Sequence, residues 1–152
     1  NGDVLDFTGG RGYIEGDRGH SFPKSYTWIH CNDFEENLSV MVSIAKIPFL
    51  GLNFWGCISV VMMGEKEIRL ATYKGVRIAC RSKERLELVQ GKYRLIVDLP
   101  KADGHALLAP SRGGMTRTIH ESPACRAGFR FYKKDELLFD HTSENASFEY
   151  VE

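Results

Sequence analysis

The chain has 152 residues, of which 43% are hydrophobic and 26% charged, and both values are typical of a single globular domain. Twenty Lys and Arg residues balance twenty Asp and Glu residues, so the clustered basic charge that nucleic acids require is missing and we expect no nucleic-acid partner. No apolar run approaches the roughly 18 residues of a spanning helix. We therefore expect no membrane span and a cytoplasmic location, with peripheral membrane attachment as the alternative.

The start of the chain suggests a domain boundary. It begins with Asn1 rather than Met, as an excised piece of a longer protein would. We interpret residues 1–10 as a linker, or as a strand from a missing N-terminal half, and residues 11–152 as one β-barrel domain. Throughout the chain, Gly and Pro recur at short intervals, and the segments between them are rich in the β-branched and aromatic residues that favour strands.

Residues 10–23 hold the densest group of candidate functional side chains. The spacing of their glycines is not that of a phosphate-binding loop. Glu15 and Asp17 are two residues apart, so a strand places both carboxyl groups on one face. Two close carboxyl groups hinder each other's ionisation, and one of them can then donate a proton near neutral pH. The alternative is an exposed acidic strand paired with Arg11 and Arg18.

The next segment places four unusual side chains on one face of a strand: Tyr26, Trp28, His30 and Asn32. Aromatic rings with a few polar groups among them are typical of a pocket wall. The alternative is a hydrogen-bonded cluster in the core. Residues 117–121 likewise form either a charged rim of a pocket or plain surface.

Two long segments in the middle of the chain, residues 38–47 and 53–63, would have apolar or small residues on both faces of a strand. Such segments are strands buried on both faces, or strands that line an apolar pocket. The second segment continues into residues 66–70 as a hairpin. From period-2 placement in the predicted strands, seven side chains are expected to be largely buried: Trp28, Ile44, Ile58, Val60, Leu95, Phe129 and Phe131.

Residues 85–97 give the clearest hairpin. Leu86 and Leu88 are predicted to face inward on one arm, and Tyr93, Leu95 and Val97 on the other. Similar alternation recurs to the end of the chain. The spacing predicts roughly ten strands, as in a sandwich or barrel. We predict an all-β, antiparallel, lipocalin-like (calycin-type) barrel or strongly curved sheet that holds one apolar ligand.

The four cysteines are far apart in the sequence, and none has a second Cys or a His at ligand spacing. We therefore expect no metal site. Cys31, Cys57 and Cys80 lie in apolar segments, where a free thiol packs as a small hydrophobic side chain. A disulfide is the alternative.

Several segments carry motifs that are similar to those of one known family. The first is G-x-G-Y-I-E-x-D-x-G-x-S-F-P at residues 10–23, which is also similar to a motif of carotenoid hydratase-like relatives. Further matches occur in the family's order over most of the chain: Tyr26, Trp28, Asn32, Phe34, residues 43–48, Phe54, Gly56, residues 71–73, Gly75, and residues 109–110, 114–119 and 121–122. With these segments the chain resembles the tocopherol cyclase family. The resemblance implies a longer family protein, and we expect this chain to correspond to its C-terminal half.

The resemblance implies a lipocalin-like fold with an apolar cavity for a prenylated quinol. It also implies that an acid protonates a prenyl double bond and that the phenolic oxygen captures the resulting tertiary cation, which closes a chromanol ring. Glu15 and Asp17 would be the catalytic acid pair. The substrate-binding residues expected from this resemblance and from the strand face are Tyr13, Tyr26, Trp28, His30 and Asn32.

Such a reaction is an isomerisation driven by proton transfer, so no metal and no other cofactor is expected. The predicted partner is a hydrophobic prenyl or terpenoid molecule. The alternative function is that of a non-catalytic, lipocalin-like carrier of a prenyl lipid or a quinone.

Overall fold

The computed structural model describes residues 2–16, 20–34, 37–100 and 104–152. This part of the chain contains ten strands and a single turn of 3₁₀ helix, Thr72–Lys74. The strands are β1 (Tyr26–Cys31), β2 (Leu38–Phe49), β3 (Leu52–Met63), β4 (Lys66–Ala71), β5 (Arg77–Arg81), β6 (Arg85–Gln90), β7 (Tyr93–Asp98), β8 (His105–Ser111), β9 (Gly114–Lys133) and β10 (Glu136–Val151). Nowhere in the described ranges is there a helix with the length and hydropathy needed to cross a membrane.

The strands form one antiparallel sheet in the order β4-β3-β2-β1-β10-β9-β7-β6-β5. The strand β9 spans 20 residues and pairs along one edge with two strands in succession, β8 and then β7. The two ends of the sheet, β4 and β5, are not joined by a backbone ladder in the described ranges. The prediction of an all-β, antiparallel, strongly curved sheet is therefore confirmed.

The side chain of Gln90 links β6 to β4 across the open side of the sheet. The Ala71 amide donates to Gln90 Oε1 at 2.9 Å, and Gln90 Nε2 donates to the Arg69 carbonyl at 3.1 Å. The carboxamide of β6 thus offers β4 the same donor and acceptor that a neighbouring peptide group would offer. This contact closes the curve of the sheet where no strand pairing does.

The concave face of the sheet encloses a packed apolar core. Its largest fully buried side chains come mostly from strands along the whole sheet: Phe129, Phe131, Ile29, Ile44, Leu70, Leu86, Leu88, Leu95, Leu99, Val40 and Val42. We predicted an interior that holds an apolar ligand, whereas bulky side chains from both halves of the sheet fill this core. The cavity that contains the candidate site residues lies on the opposite face of β1, as described below.

Most of the predicted hairpins and faces are confirmed. In the β6–β7 hairpin, Leu86 lies opposite Val97 and Leu88 opposite Leu95, and all four are buried. The β3–β4 hairpin forms at the predicted place. All four cysteines are free thiols, and Cys31, Cys57 and Cys125 are buried while Cys80 is half-buried.

The predicted inward face of β3 is wrong. Ile58 is 48% exposed, and Val60 is only half-buried. The residues that face the core are Cys57, Ser59 and Val61. Because this strand is apolar or small at both alternations, its sequence does not determine which set faces inward. Trp28, also expected to be largely buried, is half-buried because its face of β1 lines a cavity.

Arg81 fastens β5 across one end of the core. Its Nη2 donates to the carbonyls of Tyr26 at 2.8 Å and Val151 at 2.7 Å, which are a paired couple on β1 and β10. The guanidinium also lies 4.3 Å from the ring centroid of Trp55 and 4.5 Å from that of Tyr150. Burial lowers the pKa of Arg81, and the nearby Tyr150 and Glu152 offset only part of this effect.

Candidate functional site

The candidate site lies on the outer face of β1. Along this strand Ile29 and Cys31 belong to the core cluster, so the alternate residues Tyr26, Trp28 and His30 point to the other face. Trp28 lies between Ser43 of β2 and Glu149 of β10 in the register of the sheet. The aromatic row predicted from the sequence is therefore present, and it faces away from the core.

The segment of residues 11–16 crosses this face and brings Glu15 to Trp28. The Trp28 indole Nε1 donates to Glu15 Oε2 at 2.9 Å, and the Tyr13 hydroxyl donates to the same oxygen at 2.5 Å. Arg11 anchors the start of the segment, because its Nη1 donates to the Phe34 carbonyl at 3.2 Å. Both donors bind Oε2, and Oε1 accepts no hydrogen bond from the described residues.

His30 stacks under Tyr13 on the same face. The two ring centroids are 3.7 Å apart with an interplanar angle of 17°, and the Trp28 ring lies 6.2 Å from His30. His30 is buried, and within the described part of the chain its Nε2 has no hydrogen-bond partner. Burial lowers the pKa of His30, and the Glu15 carboxylate offsets this effect only in part. A neutral imidazole is thus favoured at this position.

An open cavity of about 510 Å³ lies beside this cluster. Its lining comes from the N-terminal segment, from β1, β2 and β10, and from β8: Glu15, Gly16, Ser21, Phe22, Pro23, Tyr26, Trp28, Ser43, Ala45, Pro110 and Glu149. The volume falls within the range of about 300–1,000 Å³ that is usual for small-molecule sites. Aromatic and small apolar side chains make up much of the wall, with two carboxyl groups among them.

The second carboxyl group, Glu149, was not identified from the sequence. The Tyr26 hydroxyl donates to Glu149 Oε2 at 2.7 Å. Burial, then the hydrogen bond to Glu149, raises the pKa of Tyr26 well above its ordinary value, so this phenol stays protonated. An outward Glu between Phe148 and Tyr150 is an ordinary feature of a strand, so only its position opposite Trp28 could have revealed it.

The β8–β9 hairpin holds the cavity's outer wall in place. Arg117 donates from both Nη atoms to the carbonyls of Pro23 and Lys24, each at 2.6 Å. The Phe22 amide donates to the Pro110 carbonyl at 3.1 Å. Arg117 was predicted to belong either to a rim or to plain surface, and it contacts the backbone of residues 23–24 beside the cavity lining.

The structure thus brings together most of the predicted site residues. Glu15, Tyr13, Trp28 and His30 form one contact cluster, and Tyr26 joins Glu15 and Trp28 in lining the cavity. Asn32 is half-buried beyond the end of β1, and no hydrogen bond joins it to this cluster among the described residues. Asp17 lies outside the described residues.

The side chains around Glu15 suit proton transfer better than metal binding. No group of three or more His, Cys, Asp and Glu side chains in the described ranges is placed to hold a metal ion. A carboxyl group beside an indole face and a phenol can instead deliver a proton and stabilise a nearby positive charge.

Comparison with known proteins gives one finding. The model of the family described as tocopherol cyclase-like matches residues 1–151. No curated protein and no solved structure matches the chain.

Proposed function

The chain belongs to the tocopherol cyclase-like family, and from this premise we propose that it closes a prenylated quinol to a chromanol in the outer cavity, with Glu15 as the acid. The observation that supports this proposal most directly is the position of Glu15. Its carboxyl group is held by two hydrogen bonds at the wall of an aromatic cavity.

The hydrogen bonds to Glu15 suggest which oxygen carries the proton. Tyr13 and Trp28 both donate to Oε2, so Oε1 is the oxygen that accepts no hydrogen bond from the described residues. In the proposed reaction, Oε1 is the oxygen that delivers the proton. Asp17 remains the predicted second member of the acid pair.

The proposed reaction conserves every atom of the substrate. The carboxylic acid of Glu15 gives its proton to the less substituted carbon of the prenyl double bond, so that the π bond breaks and a C–H bond forms. The other carbon becomes a tertiary cation, which the Trp28 indole face stabilises by cation–π attraction. The phenolic oxygen bonds to this carbon, and its proton returns to the Glu15 carboxylate.

Tyr26 and Glu149 are proposed to bind the polar head of the substrate. Their hydrogen-bonded pair lies in the same cavity as Glu15, and Phe22 packs edge-on against the Tyr26 ring at 6.0 Å. A quinol hydroxyl can donate to Glu149 while its ring contacts Phe22. Such binding would place the prenyl chain toward Trp28 and Glu15.

One observation favours the alternative, a non-catalytic carrier of a prenyl lipid or a quinone. Glu15 is exposed, and the cavity is open to solvent on one side. An acid that protonates an alkene is expected to work best where water is excluded. The two functions are therefore distinguished by measuring binding and turnover on the same protein.

The test compares the wild-type chain with Glu15→Gln. A prenylated quinol is titrated into each protein to measure binding, and the chromanol product is quantified by chromatography. We expect unchanged binding and a loss of turnover of about a hundredfold or more, which is the usual contribution of an acid catalyst. Glu136→Gln, an exposed change outside the cavity lining, serves as the matched control. Unchanged turnover in Glu15→Gln would contradict the role of Glu15, and binding without turnover in the wild type would support the carrier.

A further inference from the structure

The β2–β3 hairpin projects beyond the rest of the sheet. β1 pairs with β2 only as far as Ala45, and β4 pairs with β3 only as far as Ile58. Residues 46–55 continue as a two-stranded ribbon whose ladder joins β2 to β3 alone. A free ribbon of this kind is normally polar, since nothing covers its faces.

This ribbon is apolar at its tip and along one face, where Phe49 lies opposite Leu52 and Ile47 opposite Phe54. Leu50 is 88% exposed, Leu52 76% and Phe49 62%. Ile47, Phe54 and Trp55 are exposed nearer its base. Single exposed apolar side chains are common, but a cluster of this kind marks a contact with another molecule or with a membrane.

The turn at the tip contains an unfavourable residue. Leu50 and Gly51 have φ angles of +49° and +81°, as both central residues of a type I′ turn require. Asn or Gly is the usual residue at the first position, because a left-handed conformation is costly for a side chain such as leucine. A leucine that is both strained and 88% exposed contributes nothing to the fold that asparagine would not. Its side chain therefore suits a contact outside the chain.

Charge and backbone at the ribbon also fit a lipid surface. Residues 37–64 contain no Asp or Glu, and Lys46 is their single charged residue. Two exposed lysines, Lys24 and Lys74, lie near the ribbon's base. The neighbour of Lys24, Ser25, accepts a hydrogen bond from the Lys46 amide. Thr72, two residues before Lys74, accepts one from the Cys57 amide. The Lys46 amide N–H points toward β1. Because the N–H groups of a strand alternate in direction, the residue at position 48 would point its N–H to the open edge of the ribbon. This residue is Pro48, which has no N–H. The edge thus carries one fewer unpaired donor.

We infer that the β2–β3 hairpin inserts its tip into the lipid surface of a membrane, with Phe49, Leu50 and Leu52 among the acyl chains. Trp55 and the lysines at the base then lie at headgroup level, as aromatic and basic side chains do at membrane interfaces. Attachment of this kind needs no spanning segment.

The inserted face continues into the cavity. Ser43 and Ala45 line the cavity, and Ile47 and Phe49 follow on the same face of β2. On β3, Phe54 lies opposite Ile47 and contacts Phe49 edge-on, with 6.4 Å between the ring centroids. An apolar molecule dissolved in the membrane therefore has a continuous apolar path to Trp28. Membrane insertion itself does not depend on the proposed proton chemistry.

The test is flotation of the full chain with vesicles made of equal parts phosphatidylcholine and phosphatidylglycerol. We expect the wild type to float and the variant Leu50→Asn/Leu52→Thr to bind about tenfold or more weakly, because two inserted leucines are lost. Asparagine suits the left-handed turn and threonine suits a strand, so this variant keeps or improves the fold. Leu137→Thr, which removes an exposed leucine from the start of β10, is the control and should bind as the wild type does.

A second measurement locates the tip in the bilayer. In a Trp28→Phe background Trp55 is the remaining tryptophan, and brominated lipids should quench its fluorescence in the wild-type hairpin but not in the Leu50→Asn/Leu52→Thr variant. Equal flotation of the wild type and the tip variant would overturn the inference. So would a dimer in sedimentation analysis that the same tip variant dissociates, since the tip would then bind a second copy of the chain. Neither result depends on chromanol formation.

Discussion

His30 is a polar side chain buried against the candidate acid, between Tyr13 and the outer face of β1. Its environment favours the neutral imidazole, because burial lowers its pKa from the ordinary value of 6.5. In the unfolded chain the imidazole regains its ordinary pKa. Protonation therefore couples folding to pH at this single residue.

We predict that the free energy of unfolding falls as the pH drops from 6.5 toward the lower pKa of folded His30. Over this range the unfolded chain binds more protons than the folded one, so acid favours unfolding. His30→Gln removes the coupling and should flatten this part of the profile. Urea denaturation at a series of pH values measures the slope, with the exposed His120→Gln as a control that keeps the wild-type profile. An equally steep profile in His30→Gln would contradict the prediction.

At the residue scale, some residues of the candidate site could be predicted from the sequence and others could not. Trp28 and His30 were identified because they share one alternation of a short strand, and strand geometry alone then places them together. Glu149 was missed because it lies 121 residues after Trp28, and only the pairing of β1 with β10 makes them neighbours. Local patterns predict faces of strands, but they do not predict which distant strands pair.

At the scale of elements, one side chain takes the place of a strand ladder. Gln90 bonds the Ala71 amide and the Arg69 carbonyl, where β4 and β5 leave the sheet unclosed. The sequence predicted both of the strands that this side chain connects, β4 and β6. It did not predict the contact between them, because a single glutamine at the end of a hairpin arm is also an ordinary surface residue.

We predict that Gln90→Ala destabilises the fold by about 1–3 kcal/mol, because it leaves both backbone groups without their partner. Gln90→Glu keeps an acceptor for the Ala71 amide but loses the donor to Arg69, and should have an intermediate effect. Urea denaturation measures the stability, and hydrogen exchange of the Ala71 amide reports whether its hydrogen bond to residue 90 is present. If Ala71 exchanges in Gln90→Ala at the wild-type rate, the side chain does not close the sheet.

At the scale of the whole molecule, the curved sheet separates a packed core from an outer site. Alternation predicted correctly that most strands bury one face, as at Leu95 and Phe129. It did not predict that the cavity lies on the outer face of β1, because apolar residues that fill a core and apolar residues that line a pocket follow the same pattern. Where two alternations are both apolar, as in β3, even the inward face was assigned wrongly.

The location of the ligand gives the last prediction. Ser43 lies opposite Trp28 on the outer face and lines the cavity, so Ser43→Phe should fill the space beside the indole. Because the core side of β2 is untouched and phenylalanine favours strands, the stability should stay close to that of the wild type. We expect the affinity for a fluorescent apolar probe to fall about tenfold or more, since one aromatic ring displaces the ligand from its main contact. Met41→Phe, two residues earlier on the same face and outside the lining, should bind the probe normally. A probe that binds Ser43→Phe as tightly as the wild type would have to occupy another part of the molecule, and the outer cavity would not be the binding site.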